Sequence, residues 1–399
     1  MLCSMNPSVN ESTGPSGAVS GPGRSPDRDA ILLLSLLGLV ILFTAAGVAA
    51  RLYHAKEMSL GKEWYARGEA DLKAGKAPIA IEDFRNALAY SRDNALYRLH
   101  LALALTAAGR TEEARAHLLN LWERQPGDGT VNLELARLAA REGNTAEAVR
   151  YFHNAIFGVW PGNPDVKRRD VRFELCEFLL GHGLKSEAQA ALIELATGLP
   201  KDADLHARAG DLFLKTEDYS HALSEFRAAL AISGRHEGAL AGAGEAAFQM
   251  GDYRTARRYL DRVARLNPEN ASTAQLLETT NLILSIDPLA RGLSARERAA
   301  RVVRAFGQAA TRLELCAEKR KEVIGGAEAK VEIQALAERV SAIRPKVREG
   351  PLVRDSDLLM QTTDLVFEIE EFCERKCGPA SGLDLALLLL ARQRGGAEP

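Results

Sequence analysis

Apolar positions along this chain change their spacing three times, and each change marks a different kind of segment. Residues 1–30, MLCSMNPSVNESTGPSGAVSGPGRSPDRDA, hold no apolar run that could seed a core and are rich in Gly, Pro and Ser, the composition of a disordered tail. Ile31 to Ala50, ILLLSLLGLVILFTAAGVAA, is apolar on every face: twenty residues without a charge, bounded by Arg28 and Asp29 before and Arg51 after. At about 1.5 Å rise per residue such a helix is about 30 Å long, the thickness of a bilayer's hydrocarbon core. From residue 61 the pattern turns amphipathic with helical spacing and short polar breaks, and it keeps that form to Pro288. Beyond Pro288 the segments 293–320, 327–343 and 356–377 read as longer amphipathic helices, followed by a stretch of low polarity at 383–394.

The apolar run predicts a single transmembrane helix, with 51–60 as a juxtamembrane connector. A cleaved signal peptide ordinarily has a shorter apolar stretch of about 7 to 15 residues nearer the N-terminus. TAAGVAA at the end of this run nevertheless resembles a cleavage region, so cleavage stands as the second reading. A buried core helix is the third, disfavoured because the other helices of the chain are amphipathic. Arg24 and Arg28 lie before the run and Arg51, Lys56 and Lys62 after it, a difference too small to orient the helix. The expectation is a single-pass membrane protein, in the cell or inner membrane if bacterial, touching lipid through Ile31–Ala50, with the side of its soluble part open.

The amphipathic region repeats. Ala80, Ala114, Ala148, Ala188, Ala222 and Ala256 are separated by 34, 34, 40, 34 and 34 residues, and they sit at the twentieth place of units 61–94, 95–128, 129–162, 169–202, 203–236 and 237–270. The extra residues NPDVKR lie between the third and fourth units. A small residue occupies the eighth place of every unit, Gly68, Ala102, Ala136, Cys176, Gly210 and Gly244, where two helices must approach closely. Glycine occupies the fifteenth place in five units, at 75, 109, 143, 183 and 251, as a left-handed residue ending a first helix requires. Four positions after the recurring alanine stands Phe84, Leu118, Phe152, Leu192, Phe226 or Leu260, on the same face of a second helix.

This pattern resembles the tetratricopeptide repeat family, a helix-turn-helix unit with W-x2-L-G near its start and A-x3-F later. Trp64 and Gly68 stand in the family places of the first unit, and Gly244, Gly251, Tyr253, Ala256 and Pro268 in those of the last. Arg67 replaces the usual leucine and Glu217 the turn glycine. The resemblance covers 61–270 and extends into 271–288 as a partial seventh unit. It implies an all-α solenoid of stacked helical hairpins over 61–288. Residues 289–399 then serve as a helical C-terminal cap or appended domain, because the end of a solenoid exposes an apolar face.

The resemblance also implies a protein or peptide partner held on the first helices. Its groove-facing fifth place is Tyr65, Leu99, Leu133, Phe173, Ala207 and Ala241 here, and its ninth place Glu69, Leu103, Arg137, Glu177, Asp211 and Glu245. Members that hold a C-terminal carboxylate carry lysine at the fifth place and asparagine at the ninth, and no unit here has either. The implied partner is therefore an apolar or mildly basic segment, extended or helical, with the acidic residues at its rim. A purely structural, self-associating solenoid stays open beside it.

Charge and chemistry change this picture little. With 51 basic and 53 acidic residues the formal net charge is −2, which gives no pull toward nucleic acid. HExxH, GxSxG, GxxxxGK[ST] and GxGxxG are absent from the sequence, and no two histidines stand three or four apart. No catalytic residue, metal site, cofactor or small-molecule substrate is predicted. Cys373 and Cys377 are the one candidate thiol pair. They are four apart at a helix end, unlike a reactive CxxC at a helix start. They read as buried thiols or a disulfide to Cys316 or a neighbour, with redox or metal chemistry as the alternative.

Overall fold

The computed structural model describes residues 28–321 and 327–395. Most of the tail read over 1–30 lies outside the described residues. Two compact units divide the chain at Pro126 and Gly127.

The first unit holds α1 (Arg28–Lys73), α2 (Ala77–Tyr90), α3 (Ala95–Ala107) and α4 (Thr111–Arg124). RLYHAKEMSL, residues 51–60, contains neither Gly nor Pro, so nothing breaks the helix there. The connector expected at 51–60 is accordingly helical, and α1 runs unbroken from the apolar segment into the first repeat. The apolar part of α1 is exposed throughout and is long and apolar enough to cross a membrane. Its last turns pack on α2, where a Cβ on Gly68 would lie 2.8 Å from the Phe84 ring. The small eighth residue and the bulky twenty-fourth are thus two halves of one close contact.

The second unit continues the hairpins with α5 (Gly129–Arg141), α6 (Thr145–Phe157), α7 (Pro164–Gly181), α8 (Lys185–Thr197), α9 (Ala203–Lys215), α10 (Tyr219–Ile232), α11 (Glu237–Gln249), α12 (Tyr253–Leu266) and α13 (Ala271–Ile286). The extra NPDVKR becomes the start of α7: Asn163 caps it by accepting from Val166 N at 3.4 Å, and Pro164 opens it without needing a hydrogen bond. Elsewhere Asp128, Asp202, Asp252 and Asn270 cap first or second helices in the same way, each contributing about 1 kcal/mol. The eighth, twentieth and twenty-fourth places are buried in every unit of the chain.

Beyond the hairpins, α14 (Ala295–Lys321), α15 (Ala327–Ile343), a 3-10 turn (Arg344–Lys346), α16 (Glu349–Arg354), α17 (Ser356–Cys377) and α18 (Gly382–Gly395) share one core with Ile283 and Ile286 of α13. The run LDLALLLLARQR forms α18 and lies on α13 and α17, with Ala386, Leu387 and Leu388 buried. It therefore covers an apolar face of α13, the last helix of the repeat region.

Candidate functional site

Within the second unit α7 packs on α9, α9 on α11 and α11 on α13, whereas α6, α8, α10 and α12 approach one another less closely. The first helices therefore form the more closely spaced row. Their ninth places point along that row toward the next first helix, and what they meet is decided by the sixth place there.

Arg137 of α5 donates from Nε and Nη2 to Glu174 of α7 at 2.7 and 2.8 Å, and from Nη1 to Glu134 at 2.7 Å. Glu177 of α7 accepts from Arg208 of α9 at 2.7 Å, and the same guanidinium lies 4.2 Å above the Phe173 ring. In the first unit Glu69 of α1 stands 3.8 Å from His100 of α3. Arg137 with Glu174, Glu177 with Arg208 and Glu69 with His100 each join a ninth place to the sixth place of the following unit. The ladder then stops, because the next sixth places are Gly242 and Leu276. Asp211 and Glu245 consequently have no ion-pair partner among the described residues. Burial raises the Asp211 carboxyl above its usual range, and Glu245 adds to the rise while Lys215 opposes it.

The fifth-place row is less uniform than its register suggests. Tyr65 and Leu99 are half-buried, as is Leu103 at a ninth place. Tyr65 stacks on Tyr97 with ring centroids 4.8 Å apart and meets His100 edge-on at 5.1 Å. Burial pushes its hydroxyl up to about 12, helped by the charge of Glu69. Phe173, by contrast, is 0% exposed and Leu133 8%. Those two expected groove residues are core residues: the helix rotation that seats Cys176 and Ala136 at the helix crossing turns the fifth place inward as well. Arg208, Glu174 and Glu134, which carry the polar surface of the row, were missed by a register that skips the sixth place. Opposite charges recurring 31 or 37 residues apart, as in 177 with 208 and 137 with 174, are the signal that would have found them.

Cys373 and Cys377 do not form a pair. Cys377 is bonded to Cys316 across 61 residues, with Cα atoms 5.5 Å apart, so α14 is tied to the end of α17. Cys373 is a free, fully buried thiol whose proton burial holds up to about 12, the opposite of a nucleophilic cysteine. Among the described residues no group of three or more His, Cys, Asp or Glu side chains is placed to hold a metal ion.

Residues 71–138 and 213–279 match the model of the tetratricopeptide repeat family. Among solved structures the chain is similar to YrrB, described as a TPR protein with an unusual peptide-binding site, at 18% identity over 48% of this chain and 95% of that one, TM-score 0.38. It is similar to PilF of Pseudomonas aeruginosa at 21% identity over 48% and 81%, TM-score 0.32. A TPR repeat-containing protein of Cytophaga hutchinsonii aligns at 12% identity over 60% and 92%, TM-score 0.44. No curated protein matches the chain. Residues 71–138 and 213–279 thus carry the tetratricopeptide repeat, and the phased helical pairs give the chain an all-α, TPR-type helical fold.

Proposed function

We propose that the chain is a membrane-tethered, non-catalytic scaffold that holds a peptide segment of a partner protein on its first helices. The observation that carries this reading is the break in the ninth-to-sixth ladder. Arg137 is paired with Glu174 and Glu177 with Arg208 along the row, but Asp211 and Glu245 are followed by Gly242 and Leu276 at the next sixth places. Asp211, whose carboxyl burial raises above its usual range with Glu245 adding to the rise and Lys215 opposing it, gains from a lysine or arginine supplied from outside. Within the first unit, taken by itself, Tyr65, Leu99 and Leu103 offer half-buried apolar surface on the fifth and ninth places, suited to an apolar side chain of a partner.

The apolar half of α1 supports single-pass anchoring, since it is long and apolar enough to cross a membrane and none of that window is buried among the described residues. The Cys316–Cys377 disulfide supports a soluble part on the oxidising side of the membrane.

The test begins with proximity labelling from the full-length chain in its own membrane, which yields both candidates and the side on which they reside. Binding of the strongest candidate to full-length protein in neutral detergent is then compared for the parent chain, Asp211→Asn with Glu245→Gln, and Leu99→Glu. The proposal expects at least one of the two variants to weaken binding by about tenfold, or about 1.4 kcal/mol. Unchanged affinity in both, with native circular dichroism, would refute it. Resistance to carbonate extraction supports the anchor; a mature chain beginning near Arg51 would overturn it.

A further inference from the structure

Arginines converge elsewhere in the second unit without the carboxylates that balance them in the rest of the chain. A cavity of about 850 Å³ opens between the start of α12, the connection from α13 to α14 and the end of α18. Arg254, Arg257, Arg258, Arg291 and Arg301 all line it, against only two carboxylates, Asp252 and Asp287, a formal net charge of +3 at one concavity of a chain whose total is −2. Both carboxylates are committed to backbone: Asp252 caps α12 by accepting from Thr255 N at 3.1 Å, and Asp287 accepts from Leu289 N at 2.8 Å.

The guanidinium groups are held, but not by anions. Arg254 donates to the Arg291 carbonyl at 2.8 Å, Arg258 to Thr255 Oγ1 at 2.9 Å, and Arg301 to the carbonyls of Leu284 and Asp287 at 3.0 and 2.8 Å. The side chains of Arg257 and Arg291 make no hydrogen bond or ion pair among the described residues. None of the five has a carboxylate within ion-pair distance among those residues. Like charges gathered in a recess repel unless an anion enters. A planar guanidinium presents paired N–H groups in the spacing of phosphate oxygens, and the recess exceeds what a single small ion would fill.

We propose that this cavity binds a phosphate-bearing anion, either a soluble phosphate compound or the head group of a phospholipid. Arg257 and Arg291 supply free guanidinium groups to it, and Arg254, Arg258 and Arg301, positioned by their carbonyl and hydroxyl contacts, complete the positive wall.

The probe is inorganic pyrophosphate, titrated calorimetrically into full-length protein in neutral detergent. Binding should weaken severalfold as ionic strength rises from about 0.01 M to about 0.15 M. The double variant Arg257→Gln, Arg291→Gln should lose about tenfold or more in affinity. Both residues are exposed and their side chains make no hydrogen bond or ion pair among the described residues, so the variant should melt as the parent does. Arg235→Gln, an exposed arginine outside the cavity, should bind as the parent. No heat of binding at millimolar pyrophosphate, or equal affinity in the double variant, overturns the proposal. The source is read by repeating the titration in phosphatidylcholine nanodiscs with and without phosphatidic acid. Competition by phosphatidic acid assigns the site to a lipid head group, and undiminished pyrophosphate binding assigns it to a soluble phosphate.

Discussion

Arg312 on α14 donates to the carboxylate of Glu370 on α17, and that carboxylate has no exposed surface at all. The same guanidinium reaches Glu374 and the Gly378 carbonyl, each at 3.3 Å, while Asp384 of α18 lies 3.9 Å away. One arginine therefore pins three helices of the cap where they meet. Burial outweighs its attraction, so the Glu370 carboxyl is pushed up to about 7.

A carboxyl whose folded value lies above its unfolded value binds its proton more tightly when folded. Its contribution to stability is therefore fully present below about pH 4.5 and is lost as the pH rises through about 7. The denaturation midpoint of the parent should show this decline, and Glu370→Gln should remove that part of the slope. Arg312→Met should cost about 3 to 5 kcal/mol at pH about 8, where Glu370, ionised beside Arg312 in the parent, must stay charged without its partner or take up a proton. The cost should shrink at pH about 5, where Glu370 takes a proton. Equal costs at both pH values would contradict this account.

Gly210 faces the ring of Phe226, which is fully buried, and a Cβ there would lie 2.7 Å from it. The ring has little room to move, because Gly242 of the next unit is pressed against it as well, and a Cβ there would lie 2.2 Å from it. Gly210→Ala should lower stability by about 1 to 3 kcal/mol, despite alanine's better helix propensity. Urea denaturation followed by circular dichroism measures it.

Glu217 stands where the other five units have glycine and adopts the same left-handed backbone, with φ of 65° against 74° to 75° for the glycines. Its ion pair with Lys185 is exposed and offsets little of that strain. Glu217→Gly is expected to raise stability by about 1 kcal/mol. An unchanged or lower melting temperature would show that the lost freedom of the unfolded chain matters more.

Reduction of the Cys316–Cys377 bond releases a loop of 61 residues, so Cys377→Ser should cost about 2 to 4 kcal/mol. In protein taken from its membrane under denaturing conditions, alkylation before reduction should label neither Cys316 nor Cys377, as mass spectrometry of the peptides would show. Full labelling of both without reductant would argue for a reducing compartment and against the placement proposed here.

The repeat and its register were readable from sequence because the positions that set them are local. A small residue at the eighth place, a glycine at the fifteenth and an alanine at the twentieth act within one hairpin, across contacts no longer than a single turn. The departure at Glu217 was visible too, and its backbone kept the left-handed form because the hairpin on either side over-determines it. The helical form of 51–60 follows from the same local logic: no residue there stops a helix, and charge alone does not.

What sequence by itself determined is the class of the chain: an apolar helix of bilayer length, then phased helical pairs, then longer helices that close the stack. Tertiary structure decided which side chains meet across 30 residues or more. It turned Phe173 and Leu133 into the core, joined Cys377 to Cys316 in place of Cys373, paired Glu177 with Arg208, and left Asp211, Glu245, Arg257 and Arg291 without ion-pair partners among the described residues. Periodicity fixes which face of a helix is apolar. It does not fix the rotation and offset of one helix on the next, and on those depends whether a given charge meets its opposite or solvent.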